Sequence, residues 1–505
     1  MVENLLNKFK DSGNVAIFVA FAISLYLRFS NFLHKPSLYI DEANVACNLA
    51  ERGFLGFWSK LDYEQYAPPI FMMWTKFNAL LFGYREIALR LIPFLSAIFC
   101  LFGLYKLSNK LTIAKPLIAV VILLFGVNYW CILQSYSLKQ YVPDLAMALG
   151  LILVALRKDY TRFYTRKALI QWSIAGAILV WSSMPIVYTM AAMGAYFAWQ
   201  AYRAGEFWKW LRYFSIPVGI WVVNFGIYFV AILNVDAKTD YLQQYHRIYF
   251  LTAELWTKAG WSWNWTIIKG LLAGFVGESL WTMGVFVAFY AVGLVALARK
   301  HTAIFFLLVL PFALALFSSM LGYYSLITRL VIFTVPIQSV VMAYGMQKVY
   351  DQRFGGFKLL VLTGAVVLVY HLNAWTFLWN GNKIVLEDTR SSLAYVQQNR
   401  LEGEPFLVNH EGTPVAKFYI NYAARHEEKF GNCQGYISLS YPIDWKQKTI
   451  ETIQKNPDKA VWLMLGHIEN YQADQLVQQL ASHPDVAILH QEIVWRSRAV
   501  KLQKK

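Results

Sequence analysis

Charge is what this chain has least of. Only 15% of its 505 residues are Asp, Glu, Lys or Arg, against about 25% in an ordinary soluble domain, which argues against a solvated globular protein. Acidic residues are scarcest, 30 against 46 basic ones, for a net charge of +16. The basic residues are scattered between apolar runs rather than gathered on one face, so no nucleic-acid partner is expected. The four cysteines, Cys47, Cys100, Cys131 and Cys433, form no CxxC pair and no disulfide framework. GxxxxGK[ST], GxGxxG after a strand, DxD and HExxH are all missing, so the usual nucleotide-binding loops and a zinc-protease helix are not expected. No repeat of 20–50 residues and no low-complexity tract occurs. No small-residue cleavage site follows the apolar stretch 15–29, which reads as an uncleaved first anchor rather than a signal peptide.

Apolar runs are what the chain has instead. A helix needs about 20 apolar residues to cross the hydrocarbon core. Candidate spans lie at 15–33, 87–107, 116–133, 141–156, 168–181, 184–202, 213–233, 268–298, 303–321, 326–349 and 359–379. The stretch 70–82 is shorter, the length of an interfacial or re-entrant helix. If it stays on the outer surface and the N-terminus is cytoplasmic, the inner connections collect Lys106, Lys110 and Lys115, then Arg157 to Lys167, Arg203 to Arg212, Arg299-Lys300 and Lys348 to Lys358. The short outer connections then hold little beyond Lys139 and Arg329, as the positive-inside rule requires. The expected fold is a polytopic α-helical membrane protein of about eleven spans plus interfacial helices. The pair 168–202 could instead be one bent helix. Residues 1–380 form this membrane part, with a first outer loop at 34–86. Residues 381–505 turn soluble in composition, with buried-strand patterns at 406–409, 460–465 and 486–489 and helical periodicity at 389–399 and 473–482. These alternating elements predict a small extracytoplasmic α/β domain.

Polar residues concentrate on the predicted outer face. Asp41-Glu42 opens the first loop, and Tyr66-Ala67-Pro68-Pro69 starts the interfacial helix, where proline suits the first turn. Tyr136 and Lys139 sit at the second outer turn with Asp144 one turn deeper; Tyr245-His246-Arg247 lies in the long loop 234–267, and Tyr324 and Arg329 open a later span. One acidic cluster with several separated cations suits a base and an anionic leaving group. A carboxylate can take a hydroxyl proton as the new bond forms, and Lys or Arg can neutralise a departing phosphate. Each residue also has an ordinary structural reading: Lys139 and Arg329 as snorkelling span ends, Asp144 as the partner of Lys139, His246 as a structural histidine, and the tyrosines as interfacial belt.

At these residues the chain resembles the GT-C membrane glycosyltransferases, the group of the protein O-mannosyltransferases and lipid A aminoarabinose transferases. The likeness runs through the membrane part. It is best at Tyr39-Ile40-Asp41-Glu42, at Ala67-Pro68-Pro69-Ile70-Phe71 with Phe82-Gly83 and Ala88-Leu89-Arg90-Leu91-Ile92-Pro93, and at Arg329 to Pro336. The resemblance implies a polyprenyl-phosphate-linked sugar donor, undecaprenyl phosphate in a bacterial inner membrane, and an outward-facing site. It makes Asp41, with Glu42 beside it, the catalytic pair. It matches Lys139 to the family's basic residue at the second outer turn and makes Arg329 a phosphate ligand. On the same predicted outer face Arg247 is a further candidate phosphate ligand, and Tyr66, Tyr136, Asp144, His246 and Tyr324 are candidate substrate contacts. The acceptor is a hydroxyl of a glycan, lipid or protein. The family often has His or Lys before the proline pair, where this chain has Ala67. Metal use differs within the family, and no ligand cluster in the sequence decides it. A lipid-linked sugar flippase or a non-catalytic envelope assembly protein is the alternative; the charges at span ends and the lack of a repeat speak against the transporter.

Overall fold

A computed structural model of the protein describes residues 12–233, 240–352, 355–370, 383–423, 430–439 and 444–505. Helices dominate the first three quarters. They run α1 Ser12–His34, α2 Ile40–Glu51, α3 Pro69–Phe82, α4 Glu86–Lys110, α5 Lys115–Gly126, α6 Tyr129–Leu133, α7 Tyr141–Ala155, α8 Arg166–Ser182, α9 Ile186–Arg203 and α10 Phe207–Tyr228. Next come α11 Asp240–Arg247, α12 Lys258–Val276, α13 Leu280–Lys300, α14 Thr302–Met320, α15 Val335–Tyr350 and α16 Gly355–Tyr370. Among the described residues five helices are long and apolar enough to cross a membrane: Gly13–His34, Glu86–Lys110, Phe207–Leu233, Leu280–Lys300 and Thr302–Met320. Lys115–Gly126, Tyr141–Ala155 and Gly356–Tyr370 are apolar but shorter.

Several predicted spans divide. The run 268–298 is two helices, because Gly277 turns the chain at φ +93 and the next helix starts after Ser279. The run 116–133 breaks at Asn128, whose side chain accepts from the Cys131 amide and restarts the helix as α6. The run 326–349 begins its helix only at Val335, and 168–202 is two helices rather than one bent one. α3, fourteen residues long, is too short to cross. The end of the last predicted span, 371–379, lies outside the described residues.

The break after α5 leaves carbonyls that an apolar surround cannot satisfy. Arg28 of α1 supplies the donors: it is fully buried and bonds the Gly126 and Phe125 oxygens at 2.7 and 3.0 Å, with its guanidinium over the Phe125 ring. α13 and α15 meet backbone to backbone. A Cβ on Gly345 would fall 1.9 Å from the Phe289 oxygen, and one on Gly293 2.1 Å from the Val341 oxygen, the small-residue contact that packs helices where no hydrophobic drive operates between them.

The C-terminal part carries helices α17 Thr389–Asn399, α18 Thr413–Lys417, α19 Trp445–Lys455 and α20 Asn470–Ala481, and strands β1 Phe406–Asn409, β2 Ile437–Leu439, β3 Val461–Gly466, β4 Val486–Val494 and β5 Ser497–Lys504. The sheet order is β2-β1-β3-β5-β4. β2, β1 and β3 are parallel, and β5 pairs antiparallel with β3 and β4. β1 and β3 are buried along their whole length, as strands covered on both faces must be. Their apolar runs make them legible in sequence. Short β2 and the mixed-polarity β5 give no such run.

This domain is pinned to α2 and α4. The Tyr419 hydroxyl accepts from the Leu38 amide and donates to Glu86, both at 2.9 Å. Arg390 pairs with Glu86 at 2.7 Å, and its amide donates to the Ser37 hydroxyl. Lys417 pairs with Glu51 at 2.5 Å. These contacts hold both ends of the segment between α1 and α4.

Candidate active site

α2 starts with its own charges in order. Asp41 lies in the first turn, where the exposed amides favour an anion. Glu42 accepts from the Tyr39 amide. The two carboxylates then diverge in role. Glu42 is 1% exposed and forks to Arg90 of α4, with Nη2 at 2.5 Å and Nε at 2.8 Å. It also accepts from the Leu138 amide at 2.6 Å. So many donors fix α2 to α4 and to the turn 134–140. Asp41 is more open, with 30% of its side chain exposed. Its Oδ2 lies 3.5 Å from Arg329 Nη1.

Arg329 reaches Asp41 from the irregular segment before α15. The Tyr324 hydroxyl braces that segment by donating to the Leu330 carbonyl at 2.6 Å. The second nitrogen of Arg329 donates to the Tyr245 hydroxyl at 3.4 Å, and its Nε is buried with no hydrogen-bond partner among the described residues. Lys139 enters from the turn 134–140, 4% exposed, and donates to Gln65 at 2.7 Å. Burial pushes its ammonium below the usual lysine range, with Asp41 opposing part of that effect. Three distant stretches of chain thus place one carboxylate and two cations together.

The other expected residues divide. His246 adjoins Tyr245, its Nδ1 unpartnered among the described residues, and burial beside Arg329 pushes its pKa down to about 4. Arg247 is exposed on the same helix. Asp144 is buried with Oδ1 unpartnered among the described residues; Lys139 turns to Gln65 rather than to it. The Tyr136 hydroxyl is engaged with the Ile384 carbonyl at 2.9 Å. The Tyr66 hydroxyl bonds that of Tyr228. Gln65, Arg90 and the pins to the C-terminal domain had no signal in spacing; Arg90 falls within a matched motif yet carries no role there. No group of three or more His, Cys, Asp or Glu that could hold a metal occurs among the described residues. A separate cleft of about 620 Å³ opens between α3, α4 and the C-terminal domain, lined by Lys35, Phe82, Arg85, Glu86, Arg390 and Tyr419.

Chemically, a partly exposed carboxylate beside a guanidinium and a buried ammonium can accept a proton while the cations hold an anion. No family model matches the chain, and no curated protein matches it in sequence. Among the solved structures that match, two align almost end to end. The crystal structure of ArnT from Cupriavidus metallidurans bound to undecaprenyl phosphate aligns with a TM-score of 0.50 and 13% identity over 96% of this chain and 97% of that one. The apo structure of the same protein gives 0.50 and 14% over 97% and 98%. The chain therefore shares the fold of these structures.

Proposed function

We propose that the protein is a membrane glycosyltransferase that moves a sugar from a polyprenyl phosphate to an acceptor hydroxyl at the outer face of a bacterial inner membrane. The juxtaposition of Asp41, Arg329 and Lys139 carries this reading. The match to an ArnT structure that holds undecaprenyl phosphate supports a lipid-borne donor, and the distribution of Lys and Arg between the connections supports a cytoplasmic N-terminus with the C-terminal domain outside. Asp41 takes the proton of the acceptor hydroxyl while its oxygen bonds the sugar's anomeric carbon. The carbon–phosphate-oxygen bond breaks in the same event, and the phosphate leaves with the electron pair. Arg329 and Lys139 hold the negative charge that develops there, and Arg247, on the neighbouring helix, guides the phosphate in. Asp144 and His246 contact the sugars. Glu42, Tyr66, Tyr136 and Tyr324 position the loops that carry the site, since their polar atoms are already engaged.

The test is mass spectrometry of envelope glycans, glycolipids and glycoproteins from wild type, a deletion strain, and the deletion complemented with Asp41→Asn. A sugar lost on deletion and not restored by the variant is the expected result. Full restoration removes Asp41 as the base and favours transport or assembly.

A further inference from the structure

The parallel strands β2, β1 and β3 end at one edge of the C-terminal sheet. The chain leaves β1 toward β2 and then returns past it to β3, so the carboxyl ends of β1 and β3 flank the topological switch point, where open α/β sheets take ligands. Asn409 stitches these ends: its Oδ1 accepts from the Gly412 and Gly466 amides, and its Nδ2 donates to the Gly466 carbonyl. The next residue, His467, adopts φ +52, a left-handed backbone that is uncommon with a side chain and gathers at functional sites. About a third of its side chain is exposed, and its Nδ1 bonds Glu387 Oε1 at 2.5 Å. Glu387 is 1% exposed, yet its Oε2 has no hydrogen-bond partner among the described residues. Thr389 Oγ1, beside Gly466, and Arg496 Nε are buried and unpartnered too.

This polar edge faces the membrane part. The Arg390 amide bonds Ser37, just ahead of Asp41. Thr389, beside Gly466, and Arg390 carry this edge toward the segment that leads into Asp41. The Glu387 hydrogen bond is the largest influence on the His467 imidazole, and the Asp41 charge a minor one in the same direction. We propose that His467, oriented by Glu387, is the acceptor-side residue of the active site, so that the C-terminal domain completes the site that Asp41 opens. The assignment rests on the glycosyl-transfer reading above. The Glu387 hydrogen bond keeps His467 protonated to higher pH than a free imidazole, against the effects of burial and Arg496. With Nδ1–H given to Glu387, Nε2–H is left to hold an acceptor oxygen while the acceptor hydroxyl is presented to Asp41.

Two measurements test this. In full-length protein in nanodiscs with ¹³C-labelled histidine, His467→Gln identifies the signal and Asp41→Asn removes the facing charge. The His467 midpoint should fall by about 0.3 pH unit or more, the size of one unit charge acting across several ångströms of wet protein. An unmoved midpoint overturns the proposal. In transfer assays His467→Gln should raise the acceptor KM by roughly tenfold, the worth of one charge-assisted hydrogen bond. The donor KM should stay unchanged, and the alkaline fall of kcat/KM should disappear. Glu387→Gln, judged on preparations with wild-type Tm, should do the same more weakly. Unchanged acceptor kinetics in both variants overturn the proposal and leave the transferase standing. A wild type that transfers nothing overturns the transferase, and the titration still decides whether His467 faces Asp41.

Discussion

At the residue scale the two adjacent carboxylates separate cleanly. Asp41→Asn should lower kcat by about 10²–10⁴-fold, the usual worth of a general base, with Tm unchanged because Asp41 is partly exposed. Glu42→Gln should instead unfold the protein more easily, by about 3–5 kcal/mol, since it breaks a buried pair and strands the Arg90 charge. Thermal denaturation of the two purified variants distinguishes them. Arg329→Gln should cost about 10²–10³-fold in kcat, and Arg329→Lys should recover only part of that, lacking the two-pronged donor. His246 gives a pH signature. Its folded pKa of about 4 lies below the unfolded 6.5, so the stability that comes from keeping it neutral is present above pH 6.5. That stability is lost as pH falls toward 4. His246→Asn should therefore flatten the acid arm of the stability curve in that window. Asp41, Lys139 and Arg329 were legible in sequence because charge is conspicuous in an apolar chain. The division of labour between Asp41 and Glu42 was not, because it depends on Arg90, a residue whose partner lies on another helix.

At the scale of the element, long apolar runs announced where helices lie but not where they break. Gly277 and Ser279 divide one run and Asn128 another, and such single residues disappear within a hydrophobicity window. Arg28 shows the other side of this. An arginine inside a predicted span invites a functional reading, yet its donors cap the carbonyls at the end of α5. Arg28→Met should lower Tm and the yield of inserted protein while leaving donor KM intact in what folds. The α13–α15 crossing is equally exacting. Gly345→Ala pushes a methyl group into the Phe289 carbonyl and should cost about 1–3 kcal/mol or more. Gly219→Ala, with nothing within 4 Å of the added carbon, is the neutral control in the same denaturation assay.

At the scale of the molecule, the sequence pattern revealed two compositions but not how they meet. The pins of Tyr419, Arg390 and Lys417 onto Leu38, Glu86 and Glu51 pair residues hundreds of positions apart, which no local period can encode. Tyr419→Phe removes the acceptor of the Leu38 amide and should cost about 1–3 kcal/mol. Hydrogen exchange should show the loss at Leu38 and along the first turn of α2, and transfer should slow although no catalytic group has changed. These pins also order events during synthesis. The helices of the first three quarters emerge first, while the backbone ahead of Asp41 waits for a hydroxyl made 381 residues after Leu38. A chain cut short before Tyr419 would lack the acceptor of the Leu38 amide, and the segment leading into Asp41 would stay unpinned.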